Sequence, residues 1–349
     1  MPDFHALTVQ DITRETPKAV SVTFGVPSEL KEQYTFKAGQ YVTLRKTIDG
    51  KEVRRAYSLC STPKSGVLKV AVKEVENGRF SVIVNNKLTV GESLEVHPPE
   101  GKFVHETDTD GKKDYAAFAA GSGITPIMSI LKTVLEEEPH SRFVLVYGNK
   151  SVEETIFHTE LLELQLNYPD RLFIEFIYSR KLPPKGTFGR IERSTINFVL
   201  KNKFKNHDFA KFYLCGPEQM INTVSETLTH KGVKKEDILF ELFTSSDDGA
   251  TEALLEGQSQ IKILVDDEEF EFSMPQSDII LDEVLNQGID APYSCQGGIC
   301  ASCIARITEG TATMRKNQIL TDDEVAEGLV LTCQSHPTSA KVTVDYDDV

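Results

Sequence analysis

The sequence predicts a multidomain protein in three parts. An antiparallel β-barrel covers residues 1–108, an α/β domain with a doubly wound parallel sheet covers 109–246, and a small α+β module covers 258–349 after a linker at 247–257. Three observations carry that expectation. Short alternating strands separated by Gly, Pro and Asp turns fill the first part. Nearly continuous apolar runs alternate with helical periods in the second. In the third, acidic charge and cysteines concentrate abruptly.

Taken in order, Val20–Val26, Gln40–Lys46, Val53–Leu59, Val67–Val75 and Ser93–Val96 read as strands, and only Arg79–Leu88 as a helix. From Lys112 to Phe243, strand-like runs lie at Tyr115–Ala120, Phe143–Tyr147, Leu172–Tyr178, Lys211–Leu214 and Ile238–Phe243. They alternate with helical patterns at Pro126–Glu137, Val152–Leu166 and Glu218–Lys231. Thr244–Gly257 is polar and reads as a connection. In the last part Ile261–Val265 and Glu269–Phe272 flank Asp266-Asp267 as a hairpin. Ser277–Gln287 reads as a helix with Ser277 as N-cap and Gly288 as C′, and Lys341–Asp345 as a closing strand.

The chain has 349 residues, 40% of them hydrophobic, and a formal net charge of −15. That balance argues against nucleic acid or an anionic membrane as partner, because both need a basic footprint. Residues 1–11 lack the basic and apolar regions of a secretory signal, and no run approaches the roughly 18 apolar residues of a membrane helix. A soluble, cytoplasmic protein is expected. From Gln258 onward there are 17 Asp and Glu against 5 Lys and Arg, leaving 36 against 33 in the preceding residues. The last module therefore carries most of the charge, either as a docking surface or as a merely solvated face.

Four of the six cysteines fall in that module as Cys295-x4-Cys300-x2-Cys303, with Cys333 after 29 more residues. This is the spacing of plant-type [2Fe–2S] sites: three thiolates come from one loop that wraps the cage and the fourth from a distant strand. Gly297 and Gly298 let the loop curl and turn backbone amides inward. Zinc is the alternative, as in an interaction module without turnover, although its ligands usually come as two short Cys pairs and only one is present.

Gly121-Ser122-Gly123-Ile124-Thr125-Pro126 follows a strand and opens a helix, the place where a pyrophosphate approaches a helix N-terminus. An ordinary tight βα turn would also read this way. In Arg54-Arg55-Ala56-Tyr57-Ser58-Leu59-Cys60-Ser61, a phosphate-matching arginine and a flat aromatic alternate on one strand, as a ligand site or a solvated face. Cys60 and Cys215 read equally as small buried side chains or as participants in a site.

Five motifs in order, Arg55-Ala-Tyr57-Ser58, Gly78-Arg-Phe-Ser81, Gly121-Ser-Gly123-Ile-Thr125-Pro126, Cys215-Gly216-Pro217 with Met220, and the four cysteines, resemble the ferredoxin–NADP reductase superfamily fused to a C-terminal plant-type ferredoxin. The resemblance covers essentially the whole chain and is to oxygenase reductases, those of the phenylacetyl-CoA epoxidase group foremost. Reductases of other Rieske or di-iron oxygenases, aromatic-ring or steroid hydroxylating, share the build. It implies a flavoprotein holding FAD and a [2Fe–2S] cluster in a β-grasp ferredoxin domain, with an oxygenase as acceptor protein on the acidic module.

Residue by residue, the resemblance implies that Tyr57 stacks on the isoalloxazine, Ser58 approaches flavin N5 and Arg55 pairs with the pyrophosphate. Gly78–Ser81 would meet the same anion. Thr125 and Cys215-Gly216-Pro217 would face the nicotinamide, with Gly121, Gly123 and Pro126 forming the turn a pyrophosphate approaches, and Phe243 would lie over the flavin. Ser179 and Arg180 occupy the position that holds an adenosine 2′-phosphate, with Lys185 and Arg190 nearby, which favours NADPH over NADH. Cys295, Cys300, Cys303 and Cys333 would hold the cluster. A nicotinamide yields two electrons at once while the cluster accepts one, so a flavin must stand between them.

Overall fold

The computed structural model describes residues 4–349 apart from residues 77, 182–186, 244–256, 299 and 318. The expected linker at 247–257 therefore lies, save for Gly257, outside the described residues. The chain divides into two compact units, one ending at Phe243 and the other running from Thr244 to Val349.

The first unit begins with β1 (His5–Thr16), β2 (Ala19–Gly25), β3 (Tyr41–Ile48), β4 (Lys51–Ser58), β5 (Leu68–Lys73), helix α1 (Arg79–Asn86) and β6 (Ser93–Val96). The strands form an antiparallel sheet in the order β4-β3-β6-β1-β2-β5, and a bridge between Leu59 and Val70 brings its two edges together as a barrel. Period-two alternation points Leu7, Val9, Val20, Val22, Val42, Leu44, Val70, Val72, Leu94 and Val96 inward, all fully or nearly fully buried. Asp49-Gly50, both at positive φ, make the two-residue turn that sets the β3–β4 register, pairing Tyr41 with Ser58.

The α/β domain follows as β7 (Asp114–Ala120), α2 (Ile124–Glu137), β8 (Arg142–Asn149), α3 (His158–Asn167), β9 (Leu172–Tyr178), β10 (Thr187–Phe188), α4 (Arg193–Asn197), β11 (Phe209–Gly216), α5 (Glu218–Thr229) and β12 (Ile238–Leu242). The sheet is parallel throughout, in the order β10-β9-β8-β7-β11-β12. The chain winds outward from β7 on one side and then from β11 on the other, so the switch point lies between β7 and β11. In open α/β sheets ligands bind at that crevice, beyond the carboxyl ends of the strands. Expected helix Val152–Leu166 is broken: Phe157 has φ 59°, and a continuous helix begins only at His158.

The barrel has its own core, around Leu7, Val22, Leu44 and Val70, and a second cluster joins it to the α/β domain. Ala19, Ala38, Cys60, Ala71 and Phe103 from the barrel side pack in the same cluster as Ile124, Ile127, Ile130 and Tyr213. Ser129 Oγ donates to the Ser61 carbonyl at 2.6 Å, and Thr62 Oγ1 to Glu136 Oε2 at 3.0 Å.

The second unit has its own core, built around Ile261, Ile263, Leu281, Val284, Ala305, Leu331 and Val344. Its elements are β13 (Gln258–Val265), β14 (Glu268–Pro275), α6 (Ile280–Asn286), β15 (Ile304–Glu309), β16 (Ala312–Met314), α7 (Asp322–Ala326), β17 (Leu329–Leu331), β18 (Ser335–Pro337) and β19 (Lys341–Asp345). A mixed sheet runs β14-β13-β19-β15-β17, with β13 parallel to β19, and β16 pairs β18 separately. One detail of the helix expectation fails. It begins at Ile280 rather than Ser277, because Ser277 Oγ donates to Asp278 at 2.9 Å and caps no helical amide.

Candidate active site and cluster loop

The end of β4 delivers Arg55, Tyr57 and Ser58. The Arg55 side chain is exposed, with one guanidinium nitrogen donating to the Arg54 carbonyl at 2.6 Å. Tyr57 is half-buried and lies 5.9 Å, centroid to centroid, from Phe80 of α1. Gly78 stands at the start of α1, where a Cβ would come within 2.5 Å of Ser81 Oγ. Ser81 Oγ in turn accepts the Val75 amide at 3.1 Å. The Arg55–Tyr57 strand and the open N-terminus of α1 thus belong to neighbouring parts of the barrel, where helix-terminal amides favour an anion.

Ser58 is buried, and its Oγ donates to Glu241 Oε2 at 2.9 Å. Glu241 pairs in register with Cys215 across β12 and β11. Gly123, on the turn after β7, sits so close to the Cys215 carbonyl that a Cβ there would overlap it. Residues from four distant stretches of chain therefore meet at the switch point. Around them Thr125 Oγ1 donates to the Ser122 carbonyl at 3.1 Å and Tyr147 Oη to the Gly121 carbonyl at 2.9 Å, fixing the turn. Pro126 is buried in the first turn of α2, where its missing amide costs nothing. Gly216 has φ 158° and packs against Met220 and Ala120, and Pro217 is the N-cap of α5.

Burial governs the electrostatics here. It pushes the Glu241 carboxyl up to about 8, with the Ser58 hydrogen bond pulling partly the other way. Burial, and then the neighbouring Glu241 charge, raise the Cys215 thiol well above its ordinary value, so this cysteine is a neutral thiol. Burial likewise raises Cys60, to about 12, and its Sγ donates to the Lys69 carbonyl.

Two residues here escaped the sequence reading. Glu241 lies in a strand whose letters give no sign of Ser58. Lys73, at the end of β5, places its Nζ 3.5 Å from where a Gly121 Cβ would be, and burial followed by Lys150 lowers its pKa. The alternation of β5 could have flagged it as the charged residue closing an apolar strand.

At the end of β9, the Ser179 and Arg180 amides donate to the Asn149 and Lys150 carbonyls at 2.9 and 3.0 Å. That leaves the exposed Arg180 side chain at the carboxyl edge of β9. Arg190 is also exposed, and Lys185 lies outside the described residues. Phe243, one residue past the end of β12, is half-buried and packs against the shared core.

In the second unit the four cysteines form a chain of contacts: Cys300 with Cys295, Cys295 with Cys333, and Cys333 with Cys303. Gln296 and Gly298, at φ 53° and 70°, curl the loop, and the Gly297 amide donates to Cys295 Sγ at 3.3 Å. Thr332 clamps the distant ligand turn to the loop, giving its amide and hydroxyl to the Cys303 carbonyl at 3.0 and 3.1 Å. Among the described residues no group of three or more His, Cys, Asp or Glu is arranged to hold a single metal ion. Four neighbouring thiols, one already taking a backbone amide, have the donor chemistry of a two-iron, sulfide-bridged centre.

Residues 6–105 match the oxidoreductase FAD-binding domain family, 118–226 the oxidoreductase NAD-binding domain family, and 263–338 the 2Fe-2S iron-sulfur cluster binding domain family. Over 352 residues the chain is 36% identical to one of the subunits of 1,2-phenylacetyl-CoA epoxidase of Escherichia coli (strain K12), covering 99% of each. The chain belongs to the oxygenase reductases. It is also 32% identical to the ferredoxin reductase component of 3-ketosteroid-9-alpha-monooxygenase from Rhodococcus rhodochrous, across 97% of this chain and 96% of that one. Phthalate dioxygenase reductase, a solved structure, superimposes with a TM-score of 0.63 at 25% identity over 98% of each chain.

This reductase is an oxidoreductase with FAD-binding, NAD-binding and [2Fe–2S] domains built for electron transfer. The zinc alternative left open by cysteine spacing gives way, because the module carrying those cysteines matches the cluster-binding family. Among the described residues no helix is long and apolar enough to cross a membrane.

Proposed function

We propose that this reductase draws electrons from NADPH and delivers them to the oxygenase component of a phenylacetyl-CoA epoxidase. The convergence of Ser58, Glu241, Cys215 and Gly123 at the switch point carries the intake half of this reading. The end-to-end likeness to the Escherichia coli epoxidase polypeptide carries the acceptor half. Bound FAD would accept two electrons from the nicotinamide and release them singly to the [2Fe–2S] centre, which takes one at a time.

The chain's own residues bind and orient. Tyr57 offers a flat face to the flavin ring, Arg55 and the Gly78–Ser81 helix start hold its pyrophosphate, and Phe243 covers it. Ser58 lies nearest the reacting flavin atom. Glu241, protonated at neutral pH, keeps a proton beside Ser58 Oγ without placing a buried negative charge there. Gly121, Gly123 and Pro126 admit the nucleotide's phosphates, Lys73 neutralises them, and Thr125 faces the nicotinamide. Cys215-Gly216-Pro217 confines the nicotinamide, excluding water from it. Ser179 and Arg180 grip the 2′-phosphate, the basis for choosing NADPH. Cys295, Cys300, Cys303 and Cys333 hold the cluster, and the acidic module presents it to a basic patch on the acceptor.

Anaerobic addition of NADPH to the purified holoprotein should bleach the flavin and then the cluster. Supplying the electrons to the epoxidase's oxygenase component should then yield epoxide from phenylacetyl-CoA. Bleaching without epoxide, but with turnover of a steroid hydroxylase, would replace the acceptor. No bleaching would overturn the intake.

A further inference from the structure

A buried polar group spans the barrel and the α/β domain and has no part in the site described above. His105 lies on the segment leaving the barrel, is 4% exposed, and places Nε2 2.8 Å from Glu138 Oε1 and Nδ1 2.7 Å from Tyr213 Oη. Glu138, past the end of α2, is wholly buried. It also accepts the Tyr115 hydroxyl at 3.0 Å and the Asp108 amide at 3.1 Å. Burial alone would raise its carboxyl, but the hydrogen bonds from His105, Asp108 and Ser141 prevail and hold it below the ordinary value. The Glu138 carboxylate and the Tyr213 hydroxyl thus hold the two ring nitrogens of His105 from opposite sides.

Each end of this group leads by backbone to one side of the switch point. Tyr213 is on β11, two residues before Cys215. The His105 amide donates to the Ala38 carbonyl at 2.9 Å. Two residues on, the Gln40 carbonyl accepts the Leu59 amide at 2.9 Å, directly after Ser58. Phe103 packs edge-on against Tyr213 at 6.0 Å, and Gly39 has no room for a side chain against the Phe103 carbonyl. A buried polar group of this kind is costly unless every member is satisfied, and satisfied it rigidifies what it joins.

We propose that His105, held by Glu138, is a positioning residue for hydride transfer: it ties Tyr213 of β11 to the barrel segment beneath Ser58, and so sets the separation of the nicotinamide and flavin sites. The inference rests on the intake reading above. Reacting atoms must be held near 3–3.5 Å, and a displacement of about 1 Å costs up to about a hundredfold in rate.

The test is anaerobic rapid mixing of the FAD-loaded protein with NADPH and with NADPH deuterated at the transferred position. Tyr213→Phe removes one oxygen and keeps the ring. It should slow flavin bleaching at saturating nucleotide about tenfold, with half-saturation unchanged and a deuterium effect showing that the hydride step is being read. His105→Phe should do the same, and His105→Gln, which keeps a donor for Glu138, should recover part of the loss. Rates within twofold of wild type in Tyr213→Phe and His105→Phe, or losses that merely follow lost flavin, overturn the inference alone. A wild-type protein that NADPH fails to bleach overturns the intake reading, and this inference with it.

Discussion

Ser58 Oγ and Glu241 Oε2 are hydrogen-bonded at 2.9 Å although 183 residues separate them in the chain. The bond joins the last residue of a barrel strand to the last strand of the parallel sheet. It puts a carboxyl where burial raises its pKa to about 8.

That value fixes a pH dependence. A carboxyl raised in the folded state favours the protonated form. Its contribution to stability is therefore full below about 4.5, its ordinary value, and is lost as pH rises through about 8. Flavin reduction by NADPH should fall above pH 8 in the wild type, and Glu241→Gln should lack that alkaline limb. Rapid-mixing rates from pH 6 to 9.5 on both proteins check this; the same limb in the Gln variant would assign it to another group.

Gly123→Ala should weaken both fold and nucleotide use. The added methyl meets the Cys215 carbonyl, so β11 or the turn must shift, at roughly 1–3 kcal/mol for an overpacked site. A lowered melting temperature with a raised half-saturation for NADPH is expected. An unchanged half-saturation would remove this turn from the nucleotide site.

Arg180→Ala should discriminate between the two nicotinamides. A hydrogen bond to a charged group is worth about 1.5–3 kcal/mol, or roughly tenfold to a hundredfold. The KM for NADPH should rise by that factor while that for NADH stays put. Equal changes for both would place the 2′-phosphate elsewhere.

Cys333→Ser should separate intake from outlet. The variant should stay yellow with FAD and still reduce ferricyanide with NADPH. Iron analysis should find the cluster lost, and transfer to the oxygenase should vanish. Full iron content would displace Cys333 from the ligand set.

Electron delivery to the oxygenase component should slow as ionic strength rises past about 0.1 M, where surface charges are screened. Stopped-flow reoxidation at graded salt measures it, and a salt-independent rate would deny the acidic module its steering role.

Much of this was legible in the letters. Leu172–Tyr178 forms a strand with the bounds its apolar run predicts, and the four-cysteine spacing pointed to the cluster that the family match bears out while leaving zinc open. β1 went unread, because the alternation of Leu7-Thr8-Val9-Gln10 is short and breaks at Asp11. Its register survives through bulges near Gln10 and Glu15. Glu241 and His105 were invisible for a different reason. A charged strand residue such as Glu241, or a histidine in a connecting segment such as His105, reads as solvent-facing, and only tertiary contact with Ser58 or Glu138 reverses that. Local pattern records which face a residue takes, not what arrives there from 183 residues away.

The C-terminal unit closes a core made wholly of its own residues, from Ile261 to Tyr346, while the barrel, beside its inner core, is joined to the α/β domain by a cluster that both line. Heating should accordingly give two cooperative melts rather than three. A terminal that carries its own interior can be swapped for a foreign one by splicing at the connection, whereas cutting between barrel and α/β domain would lay bare apolar surface on both pieces. Engineering of new redox couplings in this scaffold has one natural seam.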